Sequence, residues 1–158
     1  MTRALLPPET EQFLLERIRT HEQLQVAIWL SRHPEESVSV ESLASELSLT
    51  VVEAQEAVVA LVDAELVARS SEGPARYWYA PAHPTHHVQM RFVGVLHDHY
   101  PADLLRTLAL NAMARLRRAA QLACLVTLSA DVRRALIRRR DEAPASSRRP
   151  SGIAVQLA

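Results

Sequence analysis

Apolar residues recur at helical spacing in most segments of this chain, and this pattern restricts the fold more than any other feature. The spacing predicts helices over residues 9–33, 39–47, 51–64 and 85–99 and from residue 101 onward. The first helix has a candidate break near His21, and Ser129 is expected to cap a separate arginine-rich helix that ends near Glu142. Hydrophobic residues make up 48% of the 158 residues, which is enough for one sizeable core. We therefore expect one compact, mainly helical domain followed by a tail.

Two short strands interrupt the helical pattern. Residues 66–70 and 76–80 are joined by Ser71-Glu72-Gly73-Pro74, a sequence typical of a hairpin turn. Tyr77 and Tyr79 alternate along the second strand. We expect alternate residues of this strand to pack on the core; the alternative is that the rings of Tyr77, Trp78 and Tyr79 stack on nucleic acid. The predicted fold is mainly α with a small β-hairpin.

The composition excludes several kinds of chemistry. Three glycines, Gly73, Gly94 and Gly152, leave no glycine-rich phosphate loop. Every basic residue is arginine, which excludes lysine chemistry, and the single Cys124 excludes an internal disulfide framework and a thiolate zinc site. The histidines near both ends of the helix over 85–99 are poorly spaced for metal binding, and no nucleophile has the sequence around it that catalysis requires. We expect neither an enzyme nor a bound metal or cofactor.

The hydropathy pattern bears on location. No apolar run is long enough to cross a membrane, and no apolar run follows a basic start at the N-terminus. These features favour a soluble, cytoplasmic bacterial protein with no membrane partner.

The net charge of zero conceals two regions of opposite sign. Residues 35–65 contain carboxylates and no arginine, whereas arginines outnumber carboxylates from residue 103 to residue 149. The acids of the first region are Glu35, Glu36, Glu41, Glu46, Glu53, Glu56, Asp63 and Glu65. The chain is therefore electrically polarised along its sequence.

The predicted order of helix, helix, turn, helix and hairpin resembles the winged helix-turn-helix plan. Leu43-Ala44-Ser45-Glu46-Leu47-Ser48-Leu49-Thr50 is similar to the second helix and turn of bacterial regulators of the MarR and ArsR type. Residues 66–70 and 76–81 are similar to the two wing strands. Ser48 and Glu65 depart from the family, which commonly has glycine at both positions. A left-handed Glu65 would cost about 1 kcal/mol or more, so we expect this helix end to be built differently.

The resemblance implies a transcription regulator whose third predicted helix, residues 51–64, enters the major groove of DNA. The carboxylates of Glu53 and Glu56 would repel phosphate, and only Gln55 on this helix is well suited to reading adenine. We therefore expect DNA to be bound through the wing, the turn and arginines outside this helix. The candidate contacts are Thr50, Val52, Gln55, Glu56, Arg69 and Arg76.

The same helix supports an alternative function. Val51, Val52, Val59 and Val62 place apolar residues nearly all round it, more than one buried stripe requires. If some of them are exposed, the surface suits a protein partner, and the protein is an interaction module that does not read DNA. If instead the first helix or the wing buries Val51 and Val62, the pattern is ordinary packing.

The C-terminal region leaves further alternatives open. Arg133, Arg134 and residues 138–140 either contact phosphate, pair with the acidic region of one molecule or a dimer, or form a solvated basic helix. We expect a winged helix-turn-helix domain over 1–84, a helical extension over 85–142 and a disordered tail over 143–158. Relatives of this type usually dimerise outside the reading head, so the following residues form either a homodimer seam or part of the domain's own core: Leu104, Leu108, Ala112, Leu116, Ala119 and Ala123.

Overall fold

The computed structural model describes residues 6–141, without the side chains of residues 125, 128, 129, 131, 133 and 135–141. Helices predominate and one antiparallel hairpin accompanies them, which confirms the predicted mainly helical fold. The predicted tail over 143–158 lies outside the described residues. The elements are α1 (Pro8–Arg17), α2 (His21–Arg32), α3 (Val40–Leu47), α4 (Val51–Asp63), β1 (Val67–Arg69), β2 (Tyr77–Tyr79), α5 (Pro84–His99) and α6 (Pro101–Asp141).

The first predicted helix is two helices, and the break lies where the sequence around His21 suggested it. Ile18 is extended at the end of α1, and Thr20 begins α2 with its Oγ1 accepting a hydrogen bond from the N–H of Gln23. The Oε1 of Gln23 accepts a second one from the N–H of Arg19 at 2.7 Å. These two bonds satisfy backbone donors that the break would otherwise leave without a partner.

One hydrophobic core unites α1 to α5, the hairpin and the start of α6 within the unit Met1–Leu116. The helix α4 packs on α2 and α3, and its inner residues Ala54, Ala57, Val58 and Leu61 are buried. Fully burying a large aliphatic side chain stabilises the fold by about 1.5–3 kcal/mol. The other helices contribute Leu14, Leu30, Leu43, Met90 and Leu104, all almost completely buried.

The hairpin has a third participant that the sequence did not indicate. In β1 and β2, Val67 faces Tyr79 and Arg69 faces Tyr77. Val38, ahead of α3, exchanges both backbone hydrogen bonds with Tyr77 at 2.8 and 2.9 Å. Tyr77 and Tyr79 are buried, which confirms the prediction that they pack on the core. The wing is thereby anchored to the segment that leads into α3.

The end of α4 is built with a left-handed residue, so the expectation of a different construction was wrong. Glu65 has φ 60°. The N–H of Leu66 donates to the carbonyl of Leu61, and the N–H of Glu65 to that of Val62, both at 3.0 Å. This is the Schellman pattern that glycine usually closes, with Leu61 and Leu66 in buried positions beside it. The packed leucines compensate for the unfavourable backbone angle.

The turn between α3 and α4 repeats this construction. Ser48 has φ 55°, and the N–H of Leu49 donates to the carbonyl of Ala44 at 2.9 Å. The N–H of Ser48 bonds to the carbonyl of Ser45 at 3.5 Å. Two non-glycine residues, Ser48 and Glu65, therefore hold left-handed conformations at the C-terminal ends of α3 and α4.

The helix α6 continues without interruption from Pro101 to Asp141, so the predicted separate helix capped by Ser129 is wrong. A helix that is already formed continues at little cost, and Ser129 does not stop it. Within the first unit Leu104 and Leu108 are buried and belong to the domain's own core, whereas Leu116 is 66% exposed.

The second unit is Arg117–Ala158, which the structure describes as helix up to residue 141. Its apolar side chains Ala119, Leu122, Ala123, Val126 and Val132 are exposed. Among the described residues, no helix is both long and apolar enough to cross a membrane.

Candidate nucleic-acid interface

The N-terminus of α4 is fixed by a reciprocal cap that engages Thr50. Its Oγ1 accepts a hydrogen bond from the N–H of Glu53, while Oε2 of Glu53 accepts from the N–H and from the hydroxyl of Thr50, both at 2.8 Å. The bond from the Thr50 backbone, followed by that from its hydroxyl, lowers the pKa of Glu53 below its ordinary value. Glu53 therefore stays charged at the positive end of the helix dipole, where it stabilises the helix.

The outward face of α4 carries valines and carboxylates. Val52, Gln55 and Glu56 are exposed as predicted, with Val52 at 66%. Val59 is 44% exposed, and Asp63, which is not among the predicted contacts, lies on the same face. Spacing could have found it, since Asp63 follows Val52 by eleven residues, or three helical turns.

Val51 and Val62, at the edges of this face, differ in their burial, so each of the two sequence-based alternatives holds for one of them. Val62 is partly buried against the core, as ordinary packing predicts. Val51 is 51% exposed, so the expectation that the first helix or the wing buries it was wrong. It lies in the first turn of α4.

The acidic surface extends from α4 onto α2. A small cavity of about 90 Å³ lies between the two helices, and Glu22, Glu53 and Glu56 line it together with Thr20. Tertiary packing brings Glu22 to this place from more than thirty residues away, a proximity that no local pattern indicates. The helix α4 itself contains no basic residue. This part of the molecule therefore repels phosphate more strongly than the sequence of α4 alone suggested.

The wing presents two arginines. Arg69 and Arg76 are exposed, and no carboxylate of the described residues lies within ion-pair distance of either. Ser70 holds the wing closed, because its hydroxyl donates to the carbonyl of Pro74 at 3.2 Å and accepts from the N–H of Arg76 at 3.0 Å. Gly73 provides the left-handed residue of the turn, with φ 71°. Both guanidinium groups are available for phosphate.

A polar cluster behind α4 joins residues that lie far apart in the sequence and that no local pattern connects. Arg17 donates from Nη1 to the carbonyl of Ala64 at 3.1 Å and approaches Oε2 of Glu65 at 3.4 Å. His83 places Nε2 3.9 Å from the same carboxylate oxygen. Burial, and then the charge of Arg17, lowers the pKa of the neighbouring His86. The cluster joins α1, the end of α4 and the start of α5 around the left-handed Glu65.

The candidate contacts thus lie on two elements. Thr50 caps α4, Val52, Gln55 and Glu56 belong to its first two turns, and Arg69 and Arg76 flank the wing turn. The part of the chain that the structure describes contains no group of three or more His, Cys, Asp or Glu side chains that could hold a metal. Among the arginines predicted as a C-terminal cluster, the side chains of Arg133 and residues 138–140 lie outside the described ones.

The succession of α2, α3, a tight turn, α4 and a wing anchored by Val38 defines a winged helix-turn-helix fold. Among solved structures, the chain is similar to reduced HlyU from Vibrio cholerae, with 20% sequence identity and a TM-score of 0.43. That similarity covers 58% of this chain and 90% of the other. Neither a protein-family model nor a curated protein sequence matches this sequence.

Proposed function

We propose that this protein is a cytoplasmic, MarR- or ArsR-like transcription regulator that contacts DNA through the wing and the turn rather than by insertion of α4. The observation that carries the proposal is the contrast between two neighbouring elements of one winged helix-turn-helix fold. The wing exposes Arg69 and Arg76 without an acidic partner among the described residues, whereas α4 exposes Glu56 and Asp63 and no cation.

Phosphate contacts from the wing arginines would make the wing the main anchor on DNA. Each arginine that neutralises a phosphate releases counterions, so binding weakens with salt by a slope of about 0.9 per contact on a double-logarithmic plot. Two wing arginines give a weak interaction for each chain. Thr50 and Gln55 are the neutral side chains of α4 and its cap that could approach DNA without repelling it, although the Thr50 hydroxyl already serves the cap.

A homodimer completes the proposal, because pairing two wings doubles the number of phosphate contacts. Exposed apolar residues on α6, among them Leu105, Met113 and Leu116, support a seam between copies. The predicted seam residues Leu104 and Leu108 serve the core of one chain instead. The arginines at 133, 134 and 138–140 are candidates for additional phosphate contacts.

A salt titration of binding to promoter-sized DNA tests this function. We expect measurable affinity at low salt, and a slope smaller by about 2 for each chain bound when Arg69 and Arg76 are both replaced by alanine. Arg91→Ala is the matched control, since it removes an exposed arginine from α5. No affinity at low salt, or the same slope in the wing variant as in the control, would refute the proposal.

A second candidate function rests on the exposed valines. Val51, Val52 and Val59 are each between 44% and 66% exposed on α4. This is an unusually large exposed apolar surface for a helix that would contact DNA. Such a face favours an interaction module that kept the fold without reading DNA. Capture of a protein partner that is lost with Val59→Glu, and retained with Val88→Glu on α5, would support this function over DNA binding.

A further inference from the structure

A small cavity lies where α5 meets α6, beside the segment that precedes α1. Its volume is about 180 Å³, and apolar residues form most of its lining. Leu6, Leu96 and Leu104 are the buried residues of the lining. Phe92 and Tyr100 are its exposed aromatic residues, at 40% and 52%. A cavity of about 150 Å³ can hold benzene, so this one has room for a ring of that size with a short substituent.

The joint between the two helices holds this cavity in shape. The N–H of Tyr100 donates to the carbonyl of Leu96 at 2.6 Å, and the carbonyl of Tyr100 accepts from the N–H of Leu104 at 3.2 Å. The backbone of Tyr100 is therefore tied to the last turn of α5 and to the first turn of α6. Since these three residues all line the cavity, its shape exists before any ligand arrives.

A carboxylate lines the same cavity among the apolar residues. Asp103 lies in the first turn of α6 and is partly buried. No basic side chain that the structure describes lies within ion-pair distance of its carboxylate, and this includes the exposed Arg106 three residues further along α6. A carboxylate beside apolar walls loses part of its hydration, and a bound cation compensates for that loss.

The aromatic residues of the lining favour a ligand of the same charge. A cation within about 6 Å of the face of a phenylalanine or tyrosine ring is attracted by the ring quadrupole. A cation beside Asp103 therefore also gains from Phe92 and Tyr100, which line the same cavity. An anion would be repelled by Asp103, and one carboxylate and one phenol are too few oxygen ligands for a metal ion. The ligand that fits is an amine with an apolar body.

We propose that this cavity binds small organic cations, with the ammonium group against Asp103 and an apolar group of about benzene size among Leu6, Leu96 and Leu104. This site goes beyond the proposed DNA contact and does not depend on it, because both its lining and its ligand differ from those of the wing. A ligand held here contacts α5, α6 and the segment before α1 together. Its binding therefore stabilises the packing of these three parts.

Titration of the full chain with two probes of similar shape tests the site. The probe 2-phenylethylammonium carries a charge and 2-phenylethanol does not, and the binding of each is followed by NMR chemical shifts without DNA. For the cation we expect a dissociation constant of about 0.1–1 mM, typical of a ligand with about nine non-hydrogen atoms, and the largest shift changes at Tyr100 and Leu104. The absence of saturable binding below about 10 mM, or the largest changes outside the cavity lining, would overturn the proposal.

The variant Asp103→Asn separates the two probes, because it removes the charge and keeps the size of the side chain. Affinity for the cation should fall about three- to five-fold, as for a partly exposed ion pair, and affinity for the alcohol should stay within about two-fold. Glu72→Gln is the matched control, since it removes an equal charge from the exposed wing turn. An equal loss of both probes in a folded Asp103→Asn, or the same loss of the cation in Glu72→Gln, contradicts the proposed pairing.

A second variant decides if Asp103→Asn loses its helical circular dichroism. Phe92→Leu removes an aromatic ring from the lining and keeps an apolar side chain there. It should weaken binding of the cation about two- to five-fold, the change expected when a cation–π contact at an exposed site is lost. Unchanged affinity for the cation in Phe92→Leu would then overturn the proposal.

Discussion

Replacing Ser48 by glycine should stabilise this protein, although the substitution removes atoms and adds no contact. Ser48 is exposed in the turn between α3 and α4, with φ 55°. The left-handed conformation costs an L-residue about 1–2 kcal/mol. Glycine escapes that cost but gains freedom in the unfolded chain, which offsets about 0.4–1 kcal/mol of the benefit. The expected net gain is about 0.5–1 kcal/mol in the free energy of unfolding.

The same substitution three residues earlier provides a matched control. Ser45 is also exposed, but it lies within α3 and has helical neighbours on both sides. Glycine there should destabilise the protein by about 0.5 kcal/mol, because it lowers helix propensity without relieving strain. The two variants should therefore differ in sign.

Urea denaturation followed by circular dichroism measures both effects, and thermal unfolding should show a rise of about 2–4 °C for Ser48→Gly. A decrease in stability for Ser48→Gly similar to that for Ser45→Gly would refute the reasoning, since it would mean that the turn carries no conformational strain.

Three further predictions concern acid stability, helix capping and the charge of α4. The cap lowers the pKa of Glu53 below its ordinary 4.5. The stability that the charged Glu53 contributes is therefore present above that pH and is lost as the pH falls through the lower folded value. Glu53→Gln should flatten this acid loss in pH-dependent urea denaturation, and an unchanged profile would contradict the prediction. Arg115 donates hydrogen bonds to two backbone carbonyls at and just beyond the end of α1, at 3.3 and 2.9 Å. Arg115→Met should therefore lower the free energy of unfolding by about 1–2 kcal/mol, whereas Arg91→Met should leave it nearly unchanged. Glu56→Gln should raise DNA affinity about two- to five-fold at low salt and less at high salt, and a fall in affinity would argue against repulsion at this face.

Much of the local structure could be predicted from the sequence because it depends on neighbours in the chain. The helix predicted over 39–47 forms as α3 with Ser39 as its cap, Tyr77 and Tyr79 alternate into the core, and the hairpin forms around Gly73. Each of these features rests on a periodicity or a residue preference that acts over a few positions.

The errors have physical causes of a different kind. The expected stop at Ser129 failed because a cap residue permits a helix start without compelling one, and α6 continues through it. The expectation that Glu65 avoids the left-handed conformation was wrong because that conformation costs only about 1 kcal/mol. The burial of Leu61 and Leu66 offsets this cost. At Glu65 the weak local preference loses because it opposes the burial of large side chains.

The sequence by itself determined the order of helices and hairpin and the separation of acidic from basic regions, because both are properties of the chain read in order. Only the tertiary structure decided which valines of α4 are covered, brought Glu22 beside Glu53 and Glu56, and joined Arg17 to the carbonyl before Glu65. Exposure and electrostatic neighbourhood depend on contacts between residues far apart in sequence. The packing of α2 against α4 therefore makes the exposed side of α4 acidic and partly apolar, whereas the wing exposes arginines.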